Sequence, residues 1–135
     1  MEKILSIVET SFTKEDNDAS WSTEYDGFMI TTEVQVIKMG ISNSQHCCEN
    51  WGYLMSEDDV TSFVGADLIS ISVVDKGLNK KCIEVGERIE DGCVMFINIE
   101  TSNGLLQFVA YNSHNGYYGH SAFVKSSMLK HEETL

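Results

Sequence analysis

The sequence predicts an α+β domain: a mostly antiparallel sheet of about five strands, with an N-terminal helix and one or two short helices packed on it. Three observations lead there. The apolar residues of the first dozen positions, Met1, Ile4, Leu5, Val8 and Phe12, are spaced for one face of a helix. Residues 28–39 alternate, with Phe28, Ile30, Thr32, Val34 and Val36 on one side and Met29, Thr31, Glu33, Gln35 and Ile37 on the other, the pattern of one long half-buried strand. The last third of the chain is a meander punctuated by Asn-Gly pairs, the strongest short hairpin signal because a type I′ turn needs φ > 0 at both central positions.

Taken in order, residues 2–13 form the helix. Residues 14–26 are polar, acidic and serine-containing, a loop anchored by Trp21, so that 1–27 is a helix plus an acidic loop. The sheet core occupies 28–125, with a turn at 40–44. Ser56-Glu57-Asp58-Asp59 opens a short helix: Ser56 can accept from a backbone N–H, Asp59 sits at the capping-box position, and the acids suit the positive helix end. Val60, Phe63 and Val64 face inward and Gly65 ends it. Leu68 to Val74 is a second strand. Residues 75–92 are polar and glycine-punctuated, with a weak strand over Lys81 to Val85. Strands from Val94 to Thr101 and Leu105 to Asn112 join through Asn103-Gly104, and Asn115-Gly116 reverses the chain into a strand from Tyr118 to Lys125. Residues 126–135 are a polar tail that frays. A chain of 135 residues is one domain, long enough to bury a real core.

The composition narrows the function. Hydrophobic residues make up 42% of the chain, which excludes wholesale disorder. No apolar run approaches the roughly 18 residues that span a bilayer. The first twelve residues lack the continuous apolar core and cleavage site of a signal peptide. The expected compartment is therefore the cytoplasm, where thiols stay reduced. The formal net charge of −12 argues against direct nucleic-acid binding, since phosphate contacts need Lys and Arg, and favours a basic protein partner. The bias is local as well: from Glu15 to Asp67 the only base is Lys38, against acids that include Glu24, Asp26, Glu57, Asp58 and Asp59. One part of the surface is expected to be strongly negative.

The chemistry-bearing residues fall in two segments. One is Gln45-His46-Cys47-Cys48-Glu49-Asn50-Trp51-Gly52-Tyr53, and the other runs from Tyr111 to His120. Together they hold three of the four histidines and two of the four cysteines. Cys82 and Cys93 have no neighbouring His and read as buried small hydrophobes. In a reducing compartment a Cys/His cluster points to a metal or to catalysis rather than to disulfides. Zinc takes four tetrahedral N/S ligands. If 115–119 form the loop, His114 and His120 face each other across an antiparallel pair, roughly 5 Å apart at Cβ. The expected ligands of one structural Zn2+ are Cys47, Cys48, His114 and His120, with His46 and then Glu49 as reserves. Trp51, Tyr53, Tyr111, Tyr117 and Tyr118 read as packing around this site. A Cys48 nucleophile with His114 or His120 as base is the thiol alternative. A zinc hydrolase with Glu49 as base is the metal one.

The same segments resemble a small family of uncharacterised phage and prophage domains. Its Cys-Cys-Glu-x-Trp-Gly-Tyr stretch is matched by Cys47 to Tyr53, its short helix by Asp58 to Ala66, and its Tyr-Asn-x-His-Asn-Gly-Tyr-Tyr-x-His ending by Tyr111 to His120. The resemblance covers about residues 28–125. The sequence is also similar to zinc-containing anti-CRISPR proteins that inhibit a type II-A RNA-guided nuclease. That resemblance implies a non-enzymatic inhibitor, acting as a monomer, that binds the CRISPR effector nuclease and blocks target DNA loading. Such nucleases hold nucleic acid in positively charged channels that an acidic protein could occupy. It carries over no interface residues. A non-catalytic phage structural or interaction module is the remaining expectation.

Overall fold

The computed structural model describes residues 2–13, 24–43, 49–88, 92–114, 120–127 and 129–135. Nine strands follow one another: β1 (Glu2–Thr13), β2 (Glu24–Thr32), β3 (Val36–Ser42), β4 (Glu49–Met55), β5 (Asp67–Val74), β6 (Gly92–Thr101), β7 (Gly104–His114), β8 (Ser121–Lys125) and β9 (Lys130–Thr134). Among the described residues, a single 3₁₀ turn (Val60–Phe63) precedes β5, and one short helix, α1 (Lys80–Arg88), lies between β5 and β6. The strand order is β4-β7-β6-β5-β1-β2-β3-β8-β9, and every neighbouring pair is antiparallel. β1 is the seam. Its start pairs with β5 only through Glu2–Leu68 and Lys3–Asp67, while the rest of it pairs with β2. The sheet folds over at that seam. Phe28 of β2 then meets Phe108 of β7 edge to face at 6.1 Å, although the two strands share no hydrogen bonds. One apolar cluster lies between the two halves, drawing Ile30, Ile37 and Met39 from one and Ile97, Ile99 and Leu106 from the other.

The architecture is therefore nine-stranded and nearly all β, not the α+β arrangement of about five strands with an N-terminal helix. The largest correction is at residues 2–13, which are a strand. A bulge between Ile4 and Ser6 breaks the two-residue alternation, so Ile4 and Ile7, three apart, both face the core. Helical spacing in the sequence was an alternating strand with one residue inserted. Ile4, Ile7, Val8 and Thr10 are also β-branched, which suits a pleated surface better than a helix.

The expected long strand at 28–39 is two strands joined by a tight turn. Thr32 makes it: its Oγ1 accepts from Val34 N (3.2 Å) and Gln35 N (3.1 Å), and its own N–H donates to Gln35 O (2.9 Å). Gly40 to Ser42 continue β3 instead of turning. The weak strand over Lys81–Val85 is helix α1, begun by Asn79, whose Oδ1 accepts from Cys82 N at 3.1 Å. Cys82 and Val85 then bury against Phe96 and Val109 on the outer face of β6 and β7. The cap near 56–59 is Asp59, not Ser56. Ser56 Oγ accepts from Gln107 N instead. Gly65 does stop the turn, at φ +92°. The β6–β7 reversal is Ser102-Asn103, one residue earlier than Asn103-Gly104, and Gly104 opens β7 at φ +120°. The tail is β9, and the Leu135 side chain beyond it is buried in the core. Trp21 and its loop lie outside the described residues.

A candidate metal centre beside an acidic face

The two segments singled out by their residues converge at one end of the fold. β3 ends at Ser42, which touches His120, and β4 begins at Glu49, which pairs with His114. The connection carrying His46, Cys47 and Cys48 therefore leaves from one histidine and returns at the other. His46, Cys47 and Cys48 themselves lie outside the described residues, as does the side chain of His114. Glu49 stays on β4. The described residues contain no group of three His, Cys, Asp or Glu side chains able to hold a metal ion, a set that excludes three of the four expected ligands.

His120 can be described fully. It is 1% exposed and lies just before β8. Its Nδ1 is 2.7 Å from Ser42 O and 3.1 Å from Ser42 Oγ. A carbonyl oxygen only accepts, so Nδ1 carries a proton, and the neutral tautomer this contact selects has its lone pair on Nε2. A metal-binding imidazole has this arrangement, with one nitrogen donating to a backbone carbonyl and the other presented to the ion. The Trp51 ring lies 5.2 Å from the imidazole at a 30° tilt and fixes its plane. His120 N–H and C=O exchange bonds with Leu135 (2.9 and 2.7 Å), so β8 and β9 clamp the backbone as well. His120 thus fits a zinc ion. Ser42 is the residue that sequence reasoning missed, because its role depends on a contact 78 positions away.

The other expected residues divide. Trp51 packs on His120, as anticipated, whereas Tyr53 points away into a second feature. Its ring meets Phe28 and Phe108, and its hydroxyl donates to Glu9 Oε2 at 2.7 Å. Burial, that bond, the Glu9 charge and the Asp26 charge hold the Tyr53 hydroxyl well above the ordinary tyrosine value. Asn43 Nδ2 bridges Asp26 and Glu24, both at 2.9 Å. Glu57 and Asp58 line the same groove as Glu9 and Tyr53. Lys81 also lines it and meets Asp58 at 2.7 Å. Four carboxylates, Glu9, Asp26, Glu57 and Asp58, from three separate stretches of sequence therefore lie near one phenol. Glu9 was not in the acidic run at all and joins it only because β1 is a strand. Cys82 is buried as expected, and Cys93 is exposed rather than buried. Burial pushes the Cys82 thiol up, away from the thiolate a nucleophile needs.

Comparison with known proteins finds one family. A family model described as Domain of unknown function (DUF7448) matches residues 2–124. No curated protein and no solved structure matches the chain.

Proposed function

The chain belongs to the DUF7448 family, a domain of unknown function, and from that premise we propose that it is a zinc-stabilised, non-catalytic inhibitor whose acidic face docks on a basic, nucleic-acid-handling protein. The observation that carries this reading is the gathering of Glu9, Asp26, Glu57 and Asp58 near Tyr53 in a chain of net charge −12. A surface of one sign attracts the opposite sign at long range and raises association rates. The resemblance to zinc-containing anti-CRISPR proteins names the partner: a type II-A RNA-guided nuclease whose DNA channel is positively charged.

The zinc would be structural in this reading. His120 would hold it through Nε2, joined by His114, Cys47 and Cys48 from the two strand ends beside it. Bound there, the ion supplies folding free energy by tying the β3–β4 connection to the β7–β8 connection. The protein groups do the rest: Ser42 O keeps the imidazole in the ligating tautomer and Trp51 keeps its plane.

The test is association with the guide-loaded nuclease, measured as an on-rate at low and high salt. The expected result is a complex that excludes target DNA, forms about tenfold more slowly at 0.5 M salt, and slows similarly when Glu9, Asp26 and Glu57 are neutralised together. Equal rates at both salts and in the neutralised variant would remove the reading.

A further inference from the structure

Among the described residues, the ladder along β5 leaves one of its edges open. Ser102-Asn103 is a two-residue turn, which makes Thr101 and Gly104 a hydrogen-bonded pair. Antiparallel pairs alternate, so the odd-numbered residues of β6 bond to β7 and the even-numbered ones bond to β5. Ser70, Ser72 and Val74 of β5 are the partners of Glu100, Asn98 and Phe96. The N–H and C=O groups of Ile71 and Val73 therefore point the other way. On that side β1 pairs only with Asp67 and Leu68 before the two strands diverge.

This edge has none of the usual guards. The run Ile69-Ser70-Ile71-Ser72-Val73-Val74 holds four β-branched residues, is uncharged and has neither Pro nor Gly. Such a run on an open edge is a ready template for another strand. The terminal strand β9, by contrast, reads Lys130-His131-Glu132-Glu133-Thr134 and is blunted by charge. Ile69 is 48% exposed. The edge borders a cleft of about 200 Å3 whose apolar walls are Leu68, Ile69, Ile71 and Leu129. A cavity of about 150 Å3 admits a benzene ring, so this one holds a single Leu- or Phe-sized side chain. Among the described residues, the ionisable ones along the cleft and the open groove that follows Val73 are Glu2, Asp75, His131 and Glu133, with no Lys or Arg.

We propose that the β5 edge is a strand-addition site for an extended segment of a basic protein. The segment pairs with the main chain of Ile71 and Val73, seats one large apolar side chain in the cleft, and sets Lys or Arg against Glu2, Asp75 and Glu133. Main-chain bonds supply the grip in such recognition and alternate side chains supply specificity. The occupant is taken as basic because every full charge lining the groove is negative. The proposal rests on the acidic-docking reading for the kind of partner but not for the place, because the β5 edge and the Tyr53 face share no lining residue.

The probe is a synthetic peptide, Lys-Lys-Thr-Val-Leu-Val-Thr-Lys-Lys, with a twin N-methylated at alternate backbone nitrogens that keeps every side chain and charge. Binding is followed by fluorescence anisotropy and by amide chemical shifts. In the unliganded protein the Ile71 and Val73 amides should exchange rapidly with solvent while Ser72 and Val74 are protected. The parent peptide should slow that exchange, and the twin should bind at least tenfold more weakly. Val73→Pro removes only the outward N–H and should cause the same loss, with thermal unfolding confirming that the variant folds.

Equal affinity of the two peptides, or protected Ile71 and Val73 amides in the free protein, overturns the proposal. Concentration-dependent dimerisation that Val73→Pro abolishes, with no peptide bound, assigns the edge to a second copy and overturns it too. Failure of the parent chain to bind the nuclease, with peptide binding intact, would remove the inhibitor reading and leave this one standing.

Discussion

At the residue scale, His120 and Tyr53 show how one side chain reports a whole neighbourhood. The proton on His120 is placed by a single carbonyl, Ser42 O at 2.7 Å, and that placement decides which nitrogen can meet a metal. Replacing His120 with Ala removes a buried ring from against Trp51 and costs stability by packing alone, about 2–4 kcal/mol. The zinc reading makes a sharper prediction. A strong chelator should lower the melting temperature of the parent protein and leave that of His120→Ala unchanged, and elemental analysis should show zinc lost from the variant. A parent protein whose melting is indifferent to chelator would remove the ion from the account.

Tyr53 gives a pH prediction at the same scale. Its hydroxyl titrates above the unfolded value near 10.0 because burial and Glu9 disfavour the phenolate. A folded pKa above the unfolded one means that the native state holds its proton longer. The associated stability is therefore complete below pH 10 and is lost as pH rises from there towards the folded value. Glu9→Gln removes the negative charge and should bring the Tyr53 titration down towards ordinary tyrosines, read by absorbance at 295 nm. An unmoved titration would place the negative field elsewhere. The Lys81–Asp58 pair is exposed on both sides and contributes little to stability by comparison.

At the element scale, the sheet depends on close backbone approaches that no local pattern announces. Gly27 of β2 lies directly opposite Gly40 of β3, and the Phe12 ring packs over Gly40 on the outer face. A Cβ at Gly27 would run into the carbonyl oxygen of Met39, a backbone atom that cannot step aside. Gly27→Ala should therefore destabilise the protein by about 3 kcal/mol or more, measured by urea unfolding. A change under about 1 kcal/mol would show that the β2–β3 spacing is looser than this packing. Misreading β1 as a helix has the same root. Ile4 and Ile7 share a face only because the pairing with β2 slips by one residue between Ile4 and Ser6. The slip is a property of two strands together, whereas periodicity is read from one. Helix α1 was hidden for a different reason: among its described side chains only Cys82 and Val85 are buried, too few to make a visible apolar stripe.

At the scale of the whole molecule, charge and topology combine. The net charge of −12 is a property of composition, but its arrangement needs the fold to bring Glu9 of β1, Asp26 of β2, and Glu57 and Asp58 after β4 near one tyrosine. The salt dependence predicted for nuclease association belongs to this scale, because long-range attraction sums over all of them and is screened within about 10 Å at 0.1 M salt. The proposed metal centre likewise depends on four strand ends meeting, those of β3, β4, β7 and β8.

From its residues alone this chain determined its acidity, the stop at Gly65 and the reversal near Asn103. Each of these is written in composition or in a few adjacent side chains, where local sterics and charge suffice. The tertiary structure decided that residues 2–13 are a strand, that nine strands replace about five, that Ser42 orients His120, and that the edge of β5 at Ile71 and Val73 is left open. The physical reason is that a strand is stabilised by partners far away in the chain. Its register, its bulges and its free edges exist only once those partners are in place.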